Sequence, residues 1–214
     1  MGIIFTKNSE AVQTDNGDFR GLNESGIYDC TIIRASYTTK ADSKGSSIVL
    51  SIKTSTGEEA TIYNGLSLTQ NDGGEHFQSK VVNSMLTILD IDDLETETQQ
   101  HTFGTKQVSL EVLPALDDQE IKIKVVNNWY RKKDGSGFGK SLEIKRFYSM
   151  KDGATATEIV NQVAELKQLK IDMEHASDDT YAKGVSKSDV VAGASTSAVS
   201  TSAAPAKSNI FKNK

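Results

Sequence analysis

Between Glu120 and Met150 the chain places eight basic residues (Lys122, Lys124, Arg131, Lys132, Lys133, Lys140, Lys145 and Arg146) against three acidic ones (Glu120, Asp134 and Glu143). Eight minus three leaves five positive charges in a chain whose net charge is -5. Trp129, Tyr130, Phe138, Phe147 and Tyr148 are interleaved with these bases. Lysine and arginine neutralise phosphates, and flat rings stack on unpaired bases, each stack contributing roughly 1–3 kcal/mol with little sequence preference. The chemistry this stretch could do is therefore to bind a single-stranded polyanion that carries aromatic bases.

Residue alternation assigns sides. With Ile121, Ile123 and Val125 facing a core, Lys122 and Lys124 point outward; with Leu142 and Ile144 inward, Lys145 and Phe147 point outward. Trp129 has the parity of a core residue, so it either packs or binds. Hairpin lysines also have an ordinary use in keeping strand edges soluble. Lys53 and Tyr63, outward on earlier strands, could extend the same surface.

Catalytic patterns are missing. There is no G-x-S-x-G elbow, no H-E-x-x-H and no phosphate loop ending in Lys-Ser/Thr. Gly135-Ser136-Gly137-Phe138-Gly139-Lys140 resembles a phosphate loop in composition but lies between two strands, where no helix dipole supports it. It reads as a hairpin turn. The single cysteine, Cys30, excludes an internal disulfide and a cysteine-cluster zinc site. It sits in an apolar strand, as a small buried hydrophobe or else a reactive thiol. His76, His101 and His175 are too scattered for metal-ligand spacing, so no metal and no cofactor are expected. The acidic run from Asp90 to Glu97 is a solvated loop, or else a contact for a basic partner or a device that repels duplex DNA, or, least favoured, a magnesium site of a nuclease at Asp90, Asp92 and Asp93.

The elements that must position these residues follow from periodicity. Residues 1–25 lack it and read as an N-terminal arm. From Gly26, strands are expected over Ile27–Tyr37, Ile48–Lys53 and Ala60–Tyr63, forming a meander. Phe77, Val81, Met85, Ile88 and Leu89 recur at helical spacing. Strands resume at Val108–Val112 and in the hairpin Gln119–Tyr148. The order β-β-β-α-β-β-β, without βαβ alternation, predicts a mainly β, closed or nearly closed antiparallel barrel with one interposed helix over residues 26–150. Ile159, Val163, Leu166, Leu169 and Met173 predict a C-terminal helix within 151–175. In the tail, 176–214, the Ala/Ser/Thr-rich stretch Ser186 to Ser208 is expected to be a disordered tether. Ile3-Ile4-Phe5 is too short for a signal-peptide core and no stretch reaches about 20 apolar residues, so a cytoplasmic protein without membrane contact is expected.

The segments Ser25-Gly26-Ile27-Tyr28-Asp29-Cys30-Thr31-Ile32-Ile33, Ile48 to Lys53, Met85-Leu86-Thr87-Ile88-Leu89, Glu120 to Val125 and Lys145-Arg146-Phe147 together resemble bacteriophage single-stranded DNA-binding proteins. The narrower likeness is to a phage family found near replication and recombination genes and long classed only as a domain of unknown function. The resemblance implies an OB-fold with its helix between the third and fourth strands, the hairpin supplying strands four and five, and Val108–Val112 as an addition. It implies a non-enzymatic protein in the host cytoplasm that coats single-stranded DNA. Phosphates would meet Lys53, Lys122, Lys124, Arg131, Lys140 and Lys145, and bases would stack on some of Tyr37, Tyr63, Trp129, Tyr130, Phe138 and Phe147. Many proteins of this functional class end in an acidic tail; this one ends with Ile210-Phe211 followed by lysine, either an ordinary disordered end or a pair suited to docking with a replication or recombination partner that has an acidic rim. The alternative is a phage structural or assembly protein that self-associates through the helix after Ala154.

Overall fold

In the computed structural model, which describes residues 21–103 and 106–191, one long strand organises the rest. β1 (Gly26–Thr39) pairs antiparallel along one edge with β2 (Ser46–Thr54), from Cys30 opposite Thr54 to Thr39 opposite Ser46. Its register shifts between Ile32 and Arg34. That bulge explains why apolar residues occur at both parities: Cys30 and Ile32 are buried before it and Ala35 after it. β2 continues through the Gly57 turn into β3 (Glu59–Ile62), and Ile48, Leu50, Ile52 and Ile62 fill the inner face. β4 (Ser67–Thr69) folds back onto the start of β2.

The other edge of β1 is shared. Gly26–Thr31 pair with Val125–Glu120 of β7 (Glu120–Arg131), whereas Ser36 and Tyr37 pair with Val112 and Glu111 of β6 (Lys106–Val112). A 3-10 turn, Pro114–Leu116, splices the two partners together. Its surroundings tie down β1 where no strand does: Asp118 N donates to Ile32 O at 2.8 Å, Leu113 N to Ala35 O at 2.9 Å, and Ala35 N to the Asp117 carboxylate at 3.1 Å.

β8 (Phe138–Tyr148) pairs with β7. The circuit β3-β2-β1-β7-β8 then closes on itself through a parallel bridge between Asn64 and Glu143, in which Ile144 N donates to Asn64 O at 3.0 Å. The result is an OB-like, mainly β curled barrel. Gly65 makes this approach possible: its φ is +104°, and a Cβ there would lie 2.3 Å from the Ile144 carbonyl oxygen. α1 (Ser79–Leu89) follows β4 in the chain and buries Val82 and Met85 in the same core.

Several expectations change. β5 (Glu97–Phe103) forms a hairpin with β6, where the sequence reading had only the end of an acidic loop. Glu97-Thr98-Gln99-Gln100 has no apolar alternation to announce a strand. α1 starts at Ser79, so Phe77 precedes it and is 73% exposed, its ring 4.5 Å from that of His76. The single C-terminal helix is two short ones, α2 (Ala156–Val160) and α3 (Gln168–Glu174), separated at Gln162, which takes φ 49°. The N-terminal arm is already packed at residues 21–25: Leu22 is buried, and Ser25 Oγ accepts from Asn127 N at 2.8 Å. Residues 186–191, assigned to the tether, include a helical turn over 187–191 in which Ser186 Oγ donates to Asp189 at 2.6 Å. The rest of the arm, 1–20, and of the tail, 192–214, lie outside the described residues.

Contacts divide the described chain into two compact units, residues 21–127 with 142–178, and residues 128–141 with 179–191. The first holds the barrel and its core. The second holds the outer ends of β7 and β8 together with β9 (Thr180–Tyr181), which pairs parallel with Asn128 and Trp129. No helix among the described residues is long and apolar enough to cross a membrane.

Closure through Gly65 gives a direct expectation. Gly65→Ala should destabilise the chain by more than about 1 kcal/mol, since it combines positive φ with a backbone clash. A urea titration reads this as a lowered midpoint, and an unchanged midpoint would refute the closing role.

Candidate nucleic-acid interface

The hairpin end forms first from its turn. Lys132 N donates to Gly137 O at 3.0 Å and Gly135 N to Lys132 O at 3.1 Å. Asp134 accepts from Ser136 N at 2.9 Å and from Ser136 Oγ at 2.8 Å. These bonds hold the Asp134 carboxyl below the ordinary aspartate range. Gly135 and Gly137 both take positive φ. The Gly-rich loop is a hairpin turn as read from sequence, and the Ser136 N–H that a phosphate would need is already bonded to Asp134.

On either side of that turn, rings and cations are already paired within the second unit. The Arg131 guanidinium lies 5.1 Å from the centroid of Phe138, and Lys140 Nζ lies 5.9 Å from that of Trp129. Tyr130 is 42% exposed, and its ring lies over Gly139, where an added Cβ would come within 2.8 Å. Trp129 is half-buried: its Nε1 donates to Asp179 Oδ2 at 2.6 Å, and Lys140 lies over one face of its ring. Arg131, Lys132, Lys133 and Lys140 are exposed. This unit keeps the combination of rings and accessible positive charge that the sequence singled out.

The barrel unit treats its candidates differently. Lys122 points outward as expected but is ion-paired with Asp29. Lys124 is also outward, yet only 13% exposed, because α3 covers it and Asp172 binds it at 2.9 Å. Lys145 is exposed and paired with Glu143 at 2.8 Å. Lys53 is exposed and paired with Glu59 at 3.0 Å. Tyr63 is well exposed, whereas Tyr37 is half-buried and packs against the core.

Phe147 requires a correction. It was expected on the outer face, and it is fully buried in the core cluster. Ile144 and Phe147 both belong to that cluster although they are three residues apart, so strict alternation fails between them. Tyr148 is fully buried as well, on the side that meets α3. Parity reasoning assumed solvent outside this stretch, and α3 occupies that place.

Sequence reasoning missed Asp172 altogether. Its carboxylate accepts from Tyr148 Oη at 2.5 Å, Arg146 Nη1 at 2.6 Å, Lys124 Nζ at 2.9 Å and Gln168 Nε2 at 3.1 Å. Burial raises the Asp172 carboxyl, but the bonds from Tyr148, Lys124 and Gln168 with the Arg146 charge outweigh it and bring it to about 2. Glu158 behaves alike: burial is overcome by bonds from Thr155, Gln168 and Lys167, which bring it to about 2. In the core, burial pushes the Cys30 thiol up to about 12, so the inert of its two readings holds. Asp90, Asp92 and Asp93 are exposed on the loop after α1, and Ile210 and Phe211 lie outside the described residues.

No protein-family model matches the chain, and no curated protein matches it.

Two measurements check this geometry. Trp129 is the single tryptophan, so Asp179→Ala should red-shift and broaden its emission; an unmoved spectrum would contradict the indole bond. The Asp172 carboxyl titrates lower in the folded chain than its unfolded value of roughly 3.9. The stability it contributes is thus complete above that value and lost as pH falls through about 2. Melting temperatures from about pH 5 downward should fall less steeply for Asp172→Asn than for the unaltered chain.

Proposed function

We propose that the chain is a sequence-tolerant single-stranded DNA-binding protein that coats and protects replication or recombination intermediates, of the phage class its sequence resembles. The observation that carries this reading is the hairpin end. Tyr130 is exposed there beside half-buried Trp129 and Phe138, and Arg131, Lys132, Lys133 and Lys140 surround them. Bases would stack on these rings while the cations meet the phosphates on either side, a combination that recognises a strand without reading its sequence. Arg131 and Lys140 would pass from ring faces to phosphates, since cation–π contacts at exposed sites are worth only about 0.5–1 kcal/mol. An OB-like barrel is a frequent carrier of such surfaces. The barrel candidates Lys53 and Tyr63 belong to the same reading as secondary contacts. Recruitment of replication or recombination proteins by Ile210 and Phe211 belongs to it too, as does a place in the host cytoplasm.

One observation favours the second reading, a structural or assembly protein. Val160 is 68% exposed and Met173 63%, and Ile159, Val163 and Ile171 are also exposed on the C-terminal segment, which suits self-association. Sedimentation without nucleic acid separates the two, because an assembly protein forms large species by itself.

Titrating a dT oligonucleotide into the chain should quench Trp129 emission. Tyr130→Ala should lose roughly 1–3 kcal/mol of binding, the worth of one stacked base. The logarithm of affinity should fall linearly with the logarithm of salt as counterions are released. No binding at low salt would sink the proposal.

A further inference from the structure

Lys124, Arg146 and Tyr148 converge on one point from β7 and β8, and the group they meet there is a carboxylate of the chain itself. A lysine, an arginine and a phenol aimed at one anion are also a phosphate-binding set, because guanidinium and ammonium groups form the same charge-assisted bonds with either anion. We propose that Lys124, Arg146 and Tyr148 form a binding site for a phosphate of a nucleic-acid strand, which Asp172 fills when no strand is bound. This rests on the reading of the chain as a nucleic-acid binder, and it places a second contact in the barrel unit.

The way α3 is held supports exchange. None of its residues is buried, and Ile171 and Met173 face solvent at 51% and 63%. One apolar contact of the helix is Leu169, seated where Gly153 has no side chain: a Cβ on Gly153 would lie 2.4 Å from it. Two carboxylates hold it as well. Glu158 accepts from Lys167 N at 3.0 Å and Gln168 N at 3.1 Å at the start of the helix, and Asp172 binds the strands from its last turn. A segment with so little buried apolar surface opens at a small fraction of the global unfolding free energy.

Breaking a buried ion pair is costly chiefly because a charge is left uncompensated. An incoming phosphate removes that cost by replacing the carboxylate in the same step. Space for its approach is at hand. A cavity of about 430 Å³ borders Arg146 and Gln168 and is also lined by Lys80, Lys145 and Lys167. Lys145 and Lys167 have carboxylate partners in Glu143 and Glu165, while Lys80 makes no ion pair among the described residues. A strand tracking this cavity reaches Arg146 before Asp172 has left.

The test follows amide hydrogen exchange across residues 165–178 of the full chain, alone, with a dT oligonucleotide and with inorganic tripolyphosphate. Saturating oligonucleotide should speed exchange there, and Asp172→Asn should bind it roughly fivefold or more tightly, the lower end of ordinary coupling between competing ligands. Oligonucleotide binding with unchanged exchange and unchanged affinity in Asp172→Asn overturns the site and leaves the hairpin reading standing. Opening by tripolyphosphate without oligonucleotide binding supports the anion site and removes the nucleic-acid reading. No response to either ligand overturns both. If Asp172→Asn does not fold, the exchange measurement on the unaltered chain decides alone.

Discussion

The double occupancy of one edge of β1 is the constraint from which the other arrangements follow. A strand as long as Gly26–Thr39 cannot present one straight edge to a barrel, because sheets twist. The bulge between Ile32 and Arg34 turns it, so that its first half meets β7 and its second half meets β6. With β7 fixed, β8 is carried round to Asn64 and the ring can shut. The β5–β6 hairpin then extends the sheet from the same strand without entering the ring. The splice through Pro114–Leu116 matters as much as the strands, since it bonds the backbone of β1 at the bend and buries Leu116 in the core.

What the sequence disclosed was the part governed by local periodicity. Ile48, Leu50 and Ile52 alternate against a single core, and α1 shows its stripe, so the meander and the helix were legible. β5 was not, because an edge strand of Glu, Thr and Gln buries little and carries no alternating signal. The β8 segment misled for the opposite reason. Phe147 and Tyr148 are both buried since the strand is covered on two sides, and a reading based on one buried face must place one of them wrongly. The α2–α3 break was hidden because Glu158 bonds the backbone N–H groups of Lys167 and Gln168, a contact across a turn that no periodicity records.

Counting charge along the chain located an anomaly but not its distribution. Of the bases between Glu120 and Met150, Lys122 faces Asp29, Lys124 and Arg146 share Asp172, and Lys145 faces Glu143. These carboxylates come from 93, 48, 26 and 2 positions away, so most of the neutralisation is invisible to any local window. The barrel part of the hairpin is thereby brought near neutrality. Toward the turn, the cations instead lie over rings, at Phe138 and Trp129. The two units thus give their basic residues different electrostatic roles.

The shared edge of β1 also bears on how the chain emerges from a ribosome. When residues up to about Val112 have been made, β1, β2 and β3 can already pair, yet the stretch Gly26–Thr31 has no neighbour on its second side until Glu120–Val125 arrive. Non-local pairing of this kind is slow and leaves sheet edges uncovered in the interim. The ring shuts later still, when Glu143 reaches Asn64. Until β7 and β8 have been made, the first half of β1 therefore keeps one edge unpaired, and the arrival of those two strands sets when the ring can close.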